Sequence, residues 1–342
     1  MGRSDHSALC GPCPQTMTRR SLLAGLALVA ASTPSAPAQQ RLLPIVGFLS
    51  SGSPRAFGKF LKAFQQGLRD QGFIEGRDVT MSYRWSEGHF DELDTLAREL
   101  VADRVALIAA TGGMRSAQAA KNATASIPIV FVVGFDPVKL GLVASYNKPG
   151  GNITGTTIIT TQLATKRLNL LYDLDPAVRN VAILANPEST SADVEIENVI
   201  AAARTTGRPL FVLKASSSGD IDAAFASAVE QQVRALIVSA DPLFMARRSQ
   251  IVALAASHGM PAIYPFREFV DEGCLMSYGP SLALAYRVAG IYAGRILKGT
   301  KPSELPIEAP TAFEFLINLK TAKILGLTIP SGVLAIVDET IE

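Results

Sequence analysis

Two unbroken apolar runs constrain this chain more than any other feature of its sequence: Ala106-Leu107-Ile108-Ala109-Ala110 and Ile127-Pro128-Ile129-Val130-Phe131-Val132-Val133. A strand that is apolar at every position has both faces covered, the condition of a parallel sheet with helices on each side. The first run stops at Thr111-Gly112-Gly113 and passes into a helical stretch, 114–122. The second stops at Gly134-Phe135-Asp136-Pro137. Ligands of open α/β sheets bind beyond the carboxyl ends of the strands, so Thr111, Gly112 and Asp136 are expected near one another. A third segment, 148–157, is rich in turn residues and then becomes β-branched up to Thr157, which reads as a loop entering a crossing strand.

The same grammar runs through the rest of the chain. A strand at 43–49 is followed by Ser50-Ser51-Gly52-Ser53-Pro54 and by a helix with Phe57, Phe60, Leu61, Phe64 and Leu68 on one face. A strand at 79–85 and a helix at 90–101 complete a β-α-β-α order, the signature of a doubly wound sheet. The second half repeats the plan with helices at 163–174, 192–206 and 221–231 and strands at 178–185, 210–213, 235–238 and 260–264. The apolar strand around Leu107 and its counterpart around Leu236 stand 129 residues apart (236 − 107). The expected fold is therefore α/β, two Rossmann-like lobes with parallel sheets. A returning strand at 274–279, a helix at 282–297 and an extended piece at 313–318 give the chain three crossings, near Thr156, Gly279 and Thr311. The expected division is 44–157 plus 280–310 for the N-terminal lobe and 158–279 plus 311–342 for the C-terminal lobe, joined as a hinge.

The first 38 residues read as an export signal. Arg19-Arg20 precedes an apolar run, 22–31, and small residues lead to Ala36-Pro37-Ala38, after which cleavage is expected. The paired arginines point toward the twin-arginine route, with general export as the other option. The run is shorter than the about 20 residues of a spanning helix. The expected destination is the periplasm. Cleavage would remove three of 32 Lys+Arg and one of 30 Asp+Glu, leaving 29 of each (32 − 3 and 30 − 1). A formally neutral protein argues against nucleic acid or an anionic membrane surface as partner. Cys10 and Cys13 would leave with the signal, and Cys274 stays without a partner for an internal disulfide.

Candidate site residues follow from position. Ser51 and Ser53 stand where hydroxyls at a helix start hold a carboxylate, or where a serine simply caps the helix. Thr111 with Gly112 offers backbone close to a ligand. Asp136 and Asp241 each follow a buried strand and precede proline, placed to meet a ligand ammonium or to make an ordinary Asp-Pro turn. Thr157 ends the crossing strand, and Asn186, Ser189 and Tyr278 are second-lobe candidates by the carboxyl-end rule. Trp85 is placed to stack on a planar ligand at the rim, or to pack. No nucleotide loop, no H-E-x-x-H and no G-x-S-x-G occurs, so neither a metal, a cofactor nor a serine nucleophile is expected.

Three phrases carry a family resemblance: Tyr83-Arg84-Trp85-Ser86-Glu87-Gly88, Lys148-Pro149-Gly150-Gly151-Asn152-Ile153-Thr154-Gly155, and Phe313-Glu314-Phe315-Leu316-Ile317-Asn318-Leu319-Lys320-Thr321-Ala322-Lys323. Together they resemble the ABC-transporter substrate-binding proteins of the tryptophan-binding TrpX type. The resemblance implies a type I periplasmic binding protein, two lobes and three hinge strands closing on a ligand. The functional expectation is an exported solute-binding protein, not an enzyme. It would capture a small polar ligand, an amino acid or related carboxylate, by hinge closure and hand it as a monomer to a membrane permease. The rivals are a secreted α/β enzyme and a ligand-sensing receptor module using the same interlobe cleft.

Overall fold

The computed structural model describes residues 43–190, 192–309 and 312–342, so the expected signal at 1–38 lies outside the described residues. In chain order the first lobe is built from β1 (Ile45–Ser50), α1 (Pro54–Asp70), β2 (Thr80–Trp85), α2 (Leu93–Ala102), β3 (Leu107–Thr111), α3 (Met114–Ala123), β4 (Ile129–Val133) and β5 (Ile153–Thr157). The second lobe follows with α4 (Leu163–Leu174), β6 (Val181–Ala185), α5 (Ala192–Thr205), β7 (Leu210–Lys214), α6 (Ser218–Glu230), β8 (Ala235–Val238), α7 (Pro242–Ala246), α8 (Arg248–Ser257), β9 (Ala262–Tyr264), α9 (Arg267–Asp271) and β10 (Met276–Gly279). Then come α10 (Leu282–Leu297), β11 (Glu314–Asn318), α11 (Leu319–Ile324), α12 (Ser331–Leu334) and β12 (Glu339–Ile341).

Two sheets result. The first has the order β2-β1-β3-β4-β5 and is parallel throughout. The second has the order β12-β11-β10-β9-β8-β6-β7. It departs from the expected all-parallel sheet at one place: β10 and β11 are antiparallel, with Met276 opposite Ile317. The reason is the connection. The chain leaves β10 at Gly279, crosses to the first lobe for α10, and re-enters beside that same end at Glu314, so β11 must run the other way. The single helix expected after Pro242 is two, α7 and α8, and the structure adds α9, α11, α12 and β12 to the expected elements.

Local chemistry accounts for α1. Ser53 accepts a hydrogen bond from the Ala56 amide, Pro54 occupies the first helical position, and Phe57, Phe60, Phe64 and Leu68 are buried along one stripe. Each such aromatic ring removed from water is worth about 2–3 kcal/mol. The stripe packs against α10, so a helix late in the sequence completes the first lobe. Three apolar clusters follow from the layers: one beneath α2 and α3, one beneath α4 and α5, and one that runs from the α1–α10 face of the first sheet to the α6–α9 face of the second.

The chain changes sheets after Thr157, after Gly279 and between Glu308 and Glu314. Before the last of these, the Glu308 amide donates to Gly155 O, which ties that crossing to β5. No helix among the described residues is long and apolar enough to cross a membrane.

Candidate functional site

A cavity of about 810 Å³, mouth included, lies between the lobes at the carboxyl ends of the strands. Parallel strands bring their loops to this end, and the loops after β3, β4, β6 and β8 all contribute. Five aromatic side chains stand in its walls: Phe57 of α1, Phe90, Phe135, Phe266 and Tyr286 of α10. Met114, Ile158, Met245 and Leu282 add aliphatic surface. The polar groups are few, namely the Gly112-Gly113 backbone, Arg115, Asn186, Glu188, Ser189, Thr190 and Asp241.

Of the eleven sequence candidates, Gly112, Asn186, Ser189 and Asp241 line this cavity. Gly112 has φ +80, and a Cβ there would lie 2.6 Å from Ser51 Oγ, so only glycine fits. Ser51 does not face the cavity; its buried hydroxyl donates to Gly112 O and holds the loop from behind. Tyr286 stands beside this turn, and burial keeps its hydroxyl above the usual phenol range. The Thr111 hydroxyl is buried and donates to Leu49 O at 3.4 Å, so Thr111 does not line the wall itself.

Asn186 and Asp241 form the polar end. Asn186 Nδ2 donates to Asp241 Oδ1 at 3.1 Å, and Asn186 Oδ1 accepts from the Glu188 amide at 3.0 Å. The Asp241 carboxylate also accepts from the Leu243 amide at 2.8 Å, capping α7. Burial raises the Asp241 pKa above the ordinary aspartate value, opposed by the Asn186 and backbone donors and by the charge of Arg115. Ser189 follows on the same loop, its amide donating to Asn186 O.

The other candidates lie elsewhere. Ser53 caps α1. Asp136 Oδ1 accepts from the Val138 and Lys139 amides at 3.0 and 3.2 Å, so its carboxylate closes its own turn and is not brought together with Gly112 at the cavity wall. The Thr157 hydroxyl donates to Phe135 O at 2.6 Å and steadies a loop that does line the cavity. Tyr278 packs edge-on against Phe315. Trp85 packs against Phe48, ring centroids 5.2 Å apart.

Sequence reasoning missed the aromatic walls and Arg115. The Arg115 guanidinium stands 4.6 Å from the Phe90 ring centroid, and its Nη2 donates across the lobes to Glu188 O at 2.7 Å. A methyl group on Gly113 would meet Pro242 Cγ at 3.7 Å, so the lobes approach to van der Waals distance there. Lys59 of α1 makes a second bridge, 3.0 Å to Glu268 and 3.4 Å to Asp271. Among the described residues no group of His, Cys, Asp and Glu is arranged to hold a metal.

The family model for ABC transporter substrate binding proteins matches residues 51–341. The chain belongs to that family. It is 27% identical over 269 residues to the Tyrosine-binding protein of Clostridioides difficile strain R20291, covering 79% of this chain and 77% of that one. Among solved structures it overlays on the ABC domain in complex with L-Trp from Streptococcus pneumonia with TM-score 0.79 and 25% identity, over 87% of this chain and 100% of the other. The ligand-free, open structure of a substrate binding protein with adhesive properties from Clostridium difficile gives TM-score 0.63 at 24% identity, over 88% and 98% of the two chains. The fold is that of type I periplasmic binding proteins. As a member of an ABC substrate-binding family the protein binds a small molecule for a transporter and is not an enzyme.

Proposed function

We propose that this protein is the exported receptor of an ABC importer, that it captures an aromatic amino acid by closure of its two lobes, and that it delivers the ligand to a membrane permease as a monomer. The observation that carries the reading is an aromatic-walled cavity with one buried carboxylate, Asp241, at its polar end. The rings match an aromatic side chain, and Asp241 with Asn186 matches an ammonium group. The Gly112-Gly113 backbone at the start of α3, with Ser189 and Arg115 beside it, suits the ligand carboxylate. Relatives bearing tyrosine or tryptophan in their names support the same class.

Closure is supported by two observations. The bridges from Arg115 to Glu188 and from Lys59 to Glu268 exist only when the lobes meet. The overlay on the tryptophan complex is also better than that on the open, ligand-free structure, at nearly equal identity and coverage. A ligand touching both lobes stabilises this arrangement by its differential affinity for it.

The test is a thermal-shift and calorimetric titration of the mature protein with L-tyrosine, L-tryptophan, L-phenylalanine, L-leucine and benzoate. An aromatic amino acid at one hundred times its Kd is expected to stabilise the protein by about 2.7 kcal/mol. Stabilisation by leucine or benzoate, with no response to the three aromatic amino acids, would overturn the assignment.

A further inference from the structure

Behind the polar end of the cavity lies a buried ion pair that touches no cavity surface. Arg167 of α4 is 0% exposed and Glu195 of α5 is 1% exposed, and Arg167 Nη2 donates to Glu195 Oε1 at 2.7 Å. The same guanidinium makes two longer contacts, from Nη2 to Thr160 O at 3.5 Å and from Nη1 to Tyr278 O at 3.4 Å. Thr160 belongs to the first crossing between the lobes, and Tyr278 lies just before the second.

Each of the three partners is continuous with a cavity wall. Two residues before Thr160, Ile158 lines the cavity; four residues after Tyr278, Leu282 does. Glu195 sits in the first turn of α5, directly after the loop that carries Asn186, Glu188, Ser189 and Thr190. An Arg fork is suited to such a task, because its planar donors reach several acceptors at once with little freedom left to lose.

We infer that Arg167 is a positioning residue for ligand capture, holding the two crossings and the 186–190 loop together from behind so that three walls of the cavity keep one geometry. The inference rests on the cavity being the ligand site, not on which ligand fills it. A pair that only filled the core would behave differently. Buried ion pairs replaced by apolar residues of similar volume commonly leave stability unchanged or raised, so fold and positioning separate.

The decisive experiment is hydrogen exchange on the ligand-free protein, wild type against Arg167→Met/Glu195→Met. Exchange in segments 158–162, 186–190 and 279–284 is expected to quicken about tenfold, while β6 and β8 keep their wild-type rates. Affinity for L-tyrosine, measured by calorimetry on the same samples, is expected to fall about tenfold. A folded double variant with wild-type exchange in all three segments would refute the inference. Should the double variant not fold, Arg167→Lys keeps a charge for Glu195 but has one ammonium for three acceptors. It is expected to loosen 158–162 and 279–284 while leaving 186–190 protected, and unchanged exchange at both crossings refutes the inference equally. Exchange is read without ligand. A protein that binds no aromatic amino acid therefore defeats the proposed function alone, and unchanged exchange with intact binding defeats this inference alone.

Discussion

Asp241 begins α7 and lines the cavity with the same carboxylate, so substitution there separates two roles. Asn at this position caps a helix about as well as Asp, while losing the charge. Asp241→Asn is expected to leave the melting temperature unchanged or slightly higher, since burial already disfavours the ionised form. Binding of L-tyrosine is expected to weaken by about 1.5–3 kcal/mol, the worth of a charge-assisted hydrogen bond, as read by calorimetry. In the wild type, affinity should also decline on acidification through the raised Asp241 pKa, because an ammonium ligand needs the carboxylate ionised. Glu195 gives a pH effect of stability instead. Burial pushes its pKa from 4.5 up to about 7, against the pull of Arg167. Its folded form holds the proton more tightly than its unfolded form, so its contribution is complete below about 4.5 and is lost as pH rises through about 7. The stability of wild type minus that of Glu195→Gln is therefore expected to fall by on the order of 1–3 kcal/mol between pH 4.5 and 7.5, measured by denaturant titration. Asp241 was legible from its place after a buried strand and before proline. Asp136 has the same surroundings in sequence, and its carboxylate closes its own turn. Which way a short loop folds is decided by its backbone hydrogen bonds, which residue type alone does not encode. Phe57, Phe266 and Tyr286 escaped notice for the opposite reason: an apolar ring at core spacing looks the same whether it meets protein or ligand.

At the scale of elements, α1 and α10 meet through glycine. A Cβ on Gly290 would strike Phe64 O and the Cα of Gly67, and one on Gly67 would strike Arg287 O. The two backbones are in contact, and no side chain fits between them. Gly290→Ala is expected to destabilise the protein by about 1–3 kcal/mol through overpacking, visible as a lower denaturation midpoint with an unchanged slope. The helix itself was fully legible, since Leu282–Leu297 emerges from sequence periodicity with the bounds it has in the structure. Its place on the first lobe was legible from the crossing near Gly279, which puts 280–310 with the N-terminal half, but its partner α1 was not. The reversed direction of β11 was not legible, because a strand reads the same in either direction and its neighbours are set by the path of the chain.

For the whole molecule, the proposed closure would depend on contacts that span the lobes. Glu268 is 3% exposed and faces Lys59 at 3.0 Å. Lys59→Met would leave that carboxylate buried without its cation in the closed arrangement, which penalises closure more than it penalises either lobe. Affinity for L-tyrosine is expected to drop about fivefold, as the fraction of closure-competent molecules falls. Small-angle scattering should show a larger radius of gyration for the ligand-free variant than for ligand-free wild type; equal radii and equal affinity would assign the bridge no part in closure. The two-lobed plan was readable from the repeated strand and turn order, because parallel sheets impose that order on any sequence that forms them.

The late arrival of α10 bears on how the protein is made. Phe60 meets Tyr286, and the Gly67 backbone meets Gly290, only when residues 282–297 have left the ribosome. Until then a growing chain of nearly 280 residues carries an open greasy face on its first lobe. Translation therefore outruns completion of that lobe by almost the entire second one, and holdase chaperones have that whole interval in which to engage it.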